Sequence, residues 1–331
     1  MTHAAFLTQL PTDVADHLAS ILDMVEDVLK SQCQSQVKTI ESVGDVTRSA
    51  GGKRLRPTLA VLSALATGLP VDHGRLASLA ASLEMVHMAT LIHDDVIDAA
   101  ETRRGKPTAS HINGNTAAIL GGDVLLAKAM RLLALDGDLR VIRAVSDAVV
   151  ELAEGEVREL EVRNNFELTE ETYLEVVAMK TSTLISCCCR VGAMATQAPR
   201  TIEEPLAQFG FNLGTAFQII DDVLDYSAQD TVTGKPRGTD FKEGQATLPL
   251  IDLRSRINEQ ELAGTRMMFG NPLADVGPVY KTMVLHGSLE RASKTAHEQA
   301  QRARMCLDDI PTTPFADLLA QISDFVVSRD A

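Results

Sequence analysis

Tryptophan is absent from this 331-residue chain, and aromatic residues make up only 4% of it. Strands draw on aromatic and β-branched side chains, so a chain poor in rings and rich in Ala and Leu favours packed helices. Excess positive charge is lacking too: the net charge is −14 and the pI about 5.0. That excludes the broad basic footprint of a nucleic-acid-binding protein and makes any local cluster of Lys and Arg informative. Cysteines are few, namely Cys33, Cys187, Cys188, Cys189 and Cys306. An odd number with three in a row suits neither a disulfide framework nor CxxC metal spacing. They read as small apolar packing residues in a reducing, cytoplasmic compartment. The start Met1-Thr2-His3-Ala4-Ala5-Phe6 lacks the basic opening and apolar core of a signal peptide. The longest uncharged runs, such as 205–220, contain Pro, Gln and Asn and fall short of the roughly 18 residues of a membrane helix. No transmembrane segment is expected. With 45% hydrophobic and 23% charged residues, the composition is that of a globular protein.

Read in order, residues 11–40 carry Val14, Leu18, Ile21, Leu22, Val25, Val28 and Leu29 at helical spacing, which predicts one long amphipathic helix. The pattern breaks at Gly51-Gly52-Lys53-Arg54-Leu55-Arg56-Pro57. Paired glycines ahead of a helix start, with three cations alongside, suit a phosphate group. Further helices are predicted over 58–67, 75–99, 114–135, 136–162, 169–194 and 202–226, then after Thr247, with the last pieces at 289–307 and 315–327. Gly121-Gly122 marks close helix packing, and Glu154 to Glu161 reads as a solvated acidic face. No series of alternating, strand-like segments and no low-complexity linker occurs. The expectation is a single all-α domain over 1–331, with 1–45 as a helical segment contributing to dimer contacts.

Two stretches organise the rest. Ile92-His93-Asp94-Asp95-Val96-Ile97-Asp98 and Ile220-Asp221-Asp222-Val223-Leu224-Asp225 each set carboxylates at i, i+1 and i+4 within an apolar helix. The i and i+4 side chains stack one turn apart on one face. Both clusters fall where a predicted helix ends, although a helix C-terminus disfavours negative charge. Both are followed by a basic turn, Arg103-Arg104-Gly105-Lys106-Pro107 and Thr233-Gly234-Lys235-Pro236-Arg237, which suggests two similar halves. Bound divalent cations would neutralise the carboxylates. Magnesium prefers oxygen ligands and binds through a few carboxylates plus substrate phosphates. A metal-bound diphosphate is in turn a good leaving group, and the carbocation it leaves needs an apolar wall, which the Ala-, Leu- and Met-rich helix before Asp94 can supply.

The ordered set resembles the trans-polyprenyl diphosphate synthases. The matching motifs are Gly51 to Pro57, the Asp94 cluster with Arg103-Arg104, Lys180-Thr181, and Phe217-Gln218-Ile219-Ile220 before the Asp221 cluster. The likeness runs from about 51 to 329. It implies an all-α helical bundle of the isoprenoid synthase type with a central active-site cavity, usually a homodimer. It further implies that Asp94, Asp98, Asp221 and Asp225 ligate Mg2+, with Asp95 and Asp222 less direct members of the metal set. Arg103, Lys180, Thr181, Gln218 and Lys235 would contact the allylic diphosphate, and Lys53, Arg56, His87 and Arg104 the isopentenyl diphosphate. Asp94, Asp98, Lys180 and Asp221 would carry the catalysis.

One position departs from the family pattern: Gln245 stands where a Lys is usual, with Lys242 nearby as a substitute cation. One turn before Asp94, Ala89 and Thr90 occupy positions where short-chain members carry bulky aromatics. Small side chains there imply a long product of the octaprenyl-to-decaprenyl kind, for the tail of a respiratory quinone. The alternatives are a geranylgeranyl diphosphate synthase and a non-catalytic subunit of a heteromeric synthase. A di-metal oxidase bundle is disfavoured, since no Glu-x-x-His pair lies near either cluster.

Overall fold

Helices follow from the Ala- and Leu-rich runs almost end to end in the computed structural model, which describes residues 12–52, 54–227 and 237–328. In chain order they are α1 (Thr12–Cys33), α2 (Lys38–Ser49), α3 (Leu55–Ala66), α4 (His73–Ile97), α5 (Ala109–Asn113), α6 (Asn115–Asp136), α7 (Leu139–Val162), α8 (Glu170–Val177), α9 (Thr183–Ala195) and α10 (Arg200–Ser227). Then come α11 (Thr239–Lys242), α12 (Leu248–Arg254), α13 (Glu259–Met268), α14 (Gly277–Leu285), α15 (Ser288–Cys306) and α16 (Pro314–Val327). The only strands among the described residues are β1 (Thr102–Arg103) and β2 (Lys106–Pro107), paired antiparallel.

Contacts divide the chain into two units. The first comprises residues 1–147, 187–207 and 309–319, and the second residues 148–186, 208–308 and 320–331. In the first, α4 packs chiefly on α6 and also on α1 and α3. Its Leu76, Leu79, Leu83, Met85 and Ile92 are fully buried, which explains a composition that is apolar all round. Asp72 caps its start by accepting the Arg75 N–H at 3.0 Å. Gly121 and Gly122 serve close packing as expected: a Cβ there would meet Val43 and His93 Nε2 at 2.4 Å. In the second unit α15 packs on α12 and α14, and Phe166, Phe269 and Phe241 form an edge-to-face row.

Two expectations need correction. The predicted helix over 11–40 is two helices. Ser35 accepts the Val37 N–H at 3.2 Å, and Lys128 Nζ donates to the Gln32 and Gln34 carbonyls at 2.5 and 2.9 Å, closing α1 from outside. The basic turn expected after Asp98 is there as a tight hairpin, because Arg104 (φ 54°) and Gly105 (φ 74°) both take the left-handed backbone of a two-residue turn. The predicted helix over 169–194 is interrupted by a π-helical turn, Ala178–Ser182.

All three consecutive cysteines are buried, and burial pushes the Cys187 and Cys189 thiols up to about 12. The packing role read from sequence fits this. By length and composition α4 and the run Glu170–Ala195 suffice to cross a bilayer, yet 72% and 61% of their apolar windows are buried inside the protein. The search for uncharged runs passes over them because they include Glu84 and Lys180.

Candidate functional site

In the first unit, α4 delivers the acidic cluster at its C-terminal end. Asp94 is half-buried, Asp95 buried and Asp98 exposed, with Asp98 capping the helix. The chain then turns through Ala99 into the hairpin, and the hairpin returns a cation to the cluster: Arg103 Nε donates to Asp95 Oδ1 at 2.8 Å. Asp95 is thus held by a protein partner, as its position about 100° around the helix from Asp94 suggests. Beyond it, Arg104 donates from Nη1 to the Gly51 carbonyl and Lys106 donates to the Ser49 carbonyl at 2.6 Å. The hairpin and the paired-glycine loop are therefore tied together.

Arg54, read from sequence as one of three cations suited to a phosphate group, is instead spent on protein partners. Its backbone is left-handed (φ 45°), and its guanidinium donates to Glu26 at 2.5 Å, Glu84 at 3.1 Å and the Arg48 carbonyl at 3.1 Å. Glu84 is 4% exposed; burial pushes its carboxyl up, opposed by Arg54 and Arg56. Arg56 is half-buried, and its Nε has no hydrogen-bond partner among the described residues. His87 stands one turn beyond Glu84. Burial first, then the positive charges of Arg56, Arg104, Arg103 and Arg54, lower its pKa well below the usual 6.5, so it is neutral. Four guanidinium groups thus act on one imidazole in a chain of charge −14. Lys53 and Lys235 lie outside the described residues. Ala89 is 3% exposed, and Thr90 donates to the His87 carbonyl at 2.8 Å.

In the second unit, the π-turn carries Lys180 and Thr181. Lys180 Nζ lies 2.8 Å from Glu156 and 2.5 Å from Glu159 of α7. Burial works against its charge, yet the two glutamates outweigh it and raise its pKa. This corrects the expectation for residues 154–161, since two of that stretch's acids, Glu156 and Glu159, are half-buried and grip Lys180. Thr181 Oγ1 donates to Gln218 Oε1 at 2.9 Å, Gln218 Nε2 donates to Asp222 Oδ1 at 2.9 Å, and the Tyr173 hydroxyl donates to Asp222 Oδ2 at 2.6 Å. Tyr173 has no motif signature, and sequence reasoning missed it. Burial, set against the two hydrogen bonds and aided by repulsion from Asp221 and Asp225, pushes the Asp222 carboxyl up to about 7. Asp225 accepts from the Thr239 and Asp240 N–H groups, each at 3.1 Å, so its carboxylate also orients the segment that follows. Asp221 is half-buried. Lys242 lines a pocket of about 380 Å³ with Arg163 and Asn164, and the Gln245 N–H donates to the Asp240 carbonyl at 2.8 Å.

Among the described residues no three His, Cys, Asp or Glu side chains converge on one cation position. The donor chemistry still fits a hard cation. Each motif offers only carboxylate oxygens, the second packs three acids that repel one another, and magnesium takes few protein ligands when phosphates and waters complete its shell.

Residues 37–283 match the family model described as polyprenyl synthetase. The chain is 37% identical over 308 residues to octaprenyl diphosphate synthase of Escherichia coli (strain K12), covering 92% of this chain and 95% of that one. A decaprenyl diphosphate synthase crystal structure from Rhodobacter capsulatus superposes with a TM-score of 0.88 at 34% identity, covering 97% of this chain and 100% of that one. A polyprenyl synthase from Caulobacter crescentus CB15, complexed with calcium and isoprenyl diphosphate, gives 0.89 at 32% identity, with 95% and 96% covered.

Proposed function

Because the chain belongs to the polyprenyl synthetase family of prenyl-transferring enzymes, we propose that it condenses isopentenyl diphosphate with an allylic diphosphate in successive trans additions, making a long-chain polyprenyl diphosphate for a quinone tail. The observation that carries this is the ring of Arg54, Arg56, Arg103 and Arg104 about neutral His87, on the helix that ends in Asp94 and Asp98. A diphosphate relieves that like-charge crowding, and His87 then donates or accepts a hydrogen bond without adding charge.

Lys53, Arg56, His87 and Arg104 hold the isopentenyl diphosphate. Arg103, Lys180, Thr181, Gln218 and Lys235 hold the allylic diphosphate. Asp94, Asp98, Asp221 and Asp225 hold Mg2+, while Asp95 fixes Arg103, and Asp222 fixes Gln218. Magnesium bound there supplies neutralisation of the charge that develops on the leaving diphosphate. The side chains do the rest. The cations keep the leaving group in place, buried Ala89 and its neighbours on α4 present an apolar wall to the carbocation, and the proton lost after isopentenyl attack passes to the departing diphosphate.

The relatives' products, octaprenyl and decaprenyl diphosphates, support the long-chain reading, as does the small side chain at Ala89. Exposed Ile112, Ile119, Leu120 and Leu135 on α5 and α6 support a homodimer, with the N-terminal segment adding contacts. The reading places the enzyme in the cytoplasm. Incubation of pure protein with isopentenyl and farnesyl diphosphates plus magnesium should give a long-chain product by chromatography. No prenyl product from the pure protein would overturn the reading.

A further inference from the structure

The π-turn that carries Lys180 and Thr181 sits between two glycines that no motif contains. A Cβ on Gly155 of α7 would lie 2.7 Å from Met179 Cβ and 3.2 Å from the Lys180 backbone nitrogen. A Cβ on Gly214 of α10 would lie 2.7 Å from Ser182 Cα. Both glycines occupy helix interiors, where glycine is a poor helix former, so close approach rather than helix formation accounts for them. Beside each glycine stand the residues that grip the turn. Glu156 and Glu159 take the Lys180 ammonium, Gln218 takes the Thr181 hydroxyl, and Thr215 pairs with the Ser182 hydroxyl at 2.8 Å.

From this geometry we infer that Gly155 and Gly214 are positioning residues: they let α7 and α10 close on the Ala178–Ser182 turn and so set where Lys180 and Thr181 meet the allylic diphosphate. A π-turn inserts one residue into a helical ladder and is held only if its surroundings over-determine it. The Thr183 N–H donates to the Ala178 carbonyl five residues back, which is the backbone span of such a turn, and Ser182 Oγ donates to the Val177 carbonyl at 3.5 Å. A methyl group on either glycine displaces the turn from one side while every side chain that binds ligand stays unchanged. The substrate assignment rests on the function proposed above; the clamp itself rests on packing.

Gly155→Ala and Gly214→Ala test it through two readouts. In hydrogen exchange, the peptide covering residues 178–183 should lose protection in both variants while the hairpin at 102–107 keeps its own. In kinetics, a displacement of about 1 Å lowers kcat/KM for the allylic substrate on the order of 10²-fold, with the isopentenyl KM unchanged. Partial unfolding only reduces the active fraction, so it lowers apparent kcat and moves neither KM. With Lys180→Met already present, Gly155→Ala should add little further loss. Unchanged exchange over 178–183, or additive losses with Lys180→Met, overturns the clamp. If the wild type turns over no substrate, the functional reading fails, and exchange alone then decides the clamp.

Discussion

At His87 an imidazole is kept neutral inside a ring of guanidinium groups, and that has a consequence for stability. Its folded pKa is depressed, so the unfolded chain binds a proton below pH 6.5 that the folded chain does not. Stability therefore falls as pH drops through 6.5 and keeps falling toward the lower folded value. A His87→Gln variant should lose less stability than the wild type between pH 7.5 and 5.5 in urea titrations. Equal losses would mean that burial and the arginines together do not lower the His87 pKa in the folded state. Glu84 shows the matching case of opposite charge. Buried at 4% exposure, it needs Arg54 at 3.1 Å, so removing Arg54 leaves a buried carboxyl without its hydrogen-bonded cation.

Among the elements, α13 offers the clearest test of local helix physics. Gly264 lies inside it, and a Cβ there would meet nothing within 4 Å. Gly264→Ala should therefore stabilise the protein by about 1 kcal/mol, read as a higher urea midpoint at unchanged slope. Helices of this kind were legible in the sequence because apolar period and end signals agree, as with Thr169, which caps α8 through the Thr172 N–H at 3.2 Å. The π-turn was not legible, since an inserted residue leaves the apolar pattern of 169–194 nearly intact. Nor was the break after α1, whose stop is Lys128, a residue far along the chain. The same limit governs the site. Carboxylate spacing pointed to Asp94 and Asp221 and the family resemblance to Lys180 and Gln218, whereas Tyr173, Glu156 and Glu159 act through contacts that no spacing encodes.

For the whole molecule, two tests separate chemistry from fold. Chelation with EDTA should abolish turnover and leave the melting midpoint unchanged, with activity restored by magnesium. No three carboxylates among the described residues converge on an ion that could support the fold. A fall in melting midpoint on chelation would show a structural metal instead. Product length is set separately. Ala89 is 3% exposed on α4, and Ala89→Phe puts a ring into that space. The main product should shorten by several isoprene units on chromatography; unchanged length would place the limit elsewhere.

The bonds from Arg104 to the Gly51 carbonyl and from Lys106 to the Ser49 carbonyl tie the hairpin to the paired-glycine loop. One strand of that hairpin supplies Arg103, assigned to the allylic substrate, and the loop leads into Arg56, assigned to isopentenyl diphosphate. Two ligands that press on one jointed piece of backbone are thermodynamically linked. Whatever factor the first bound diphosphate applies to the affinity of the second, the second must return to the first.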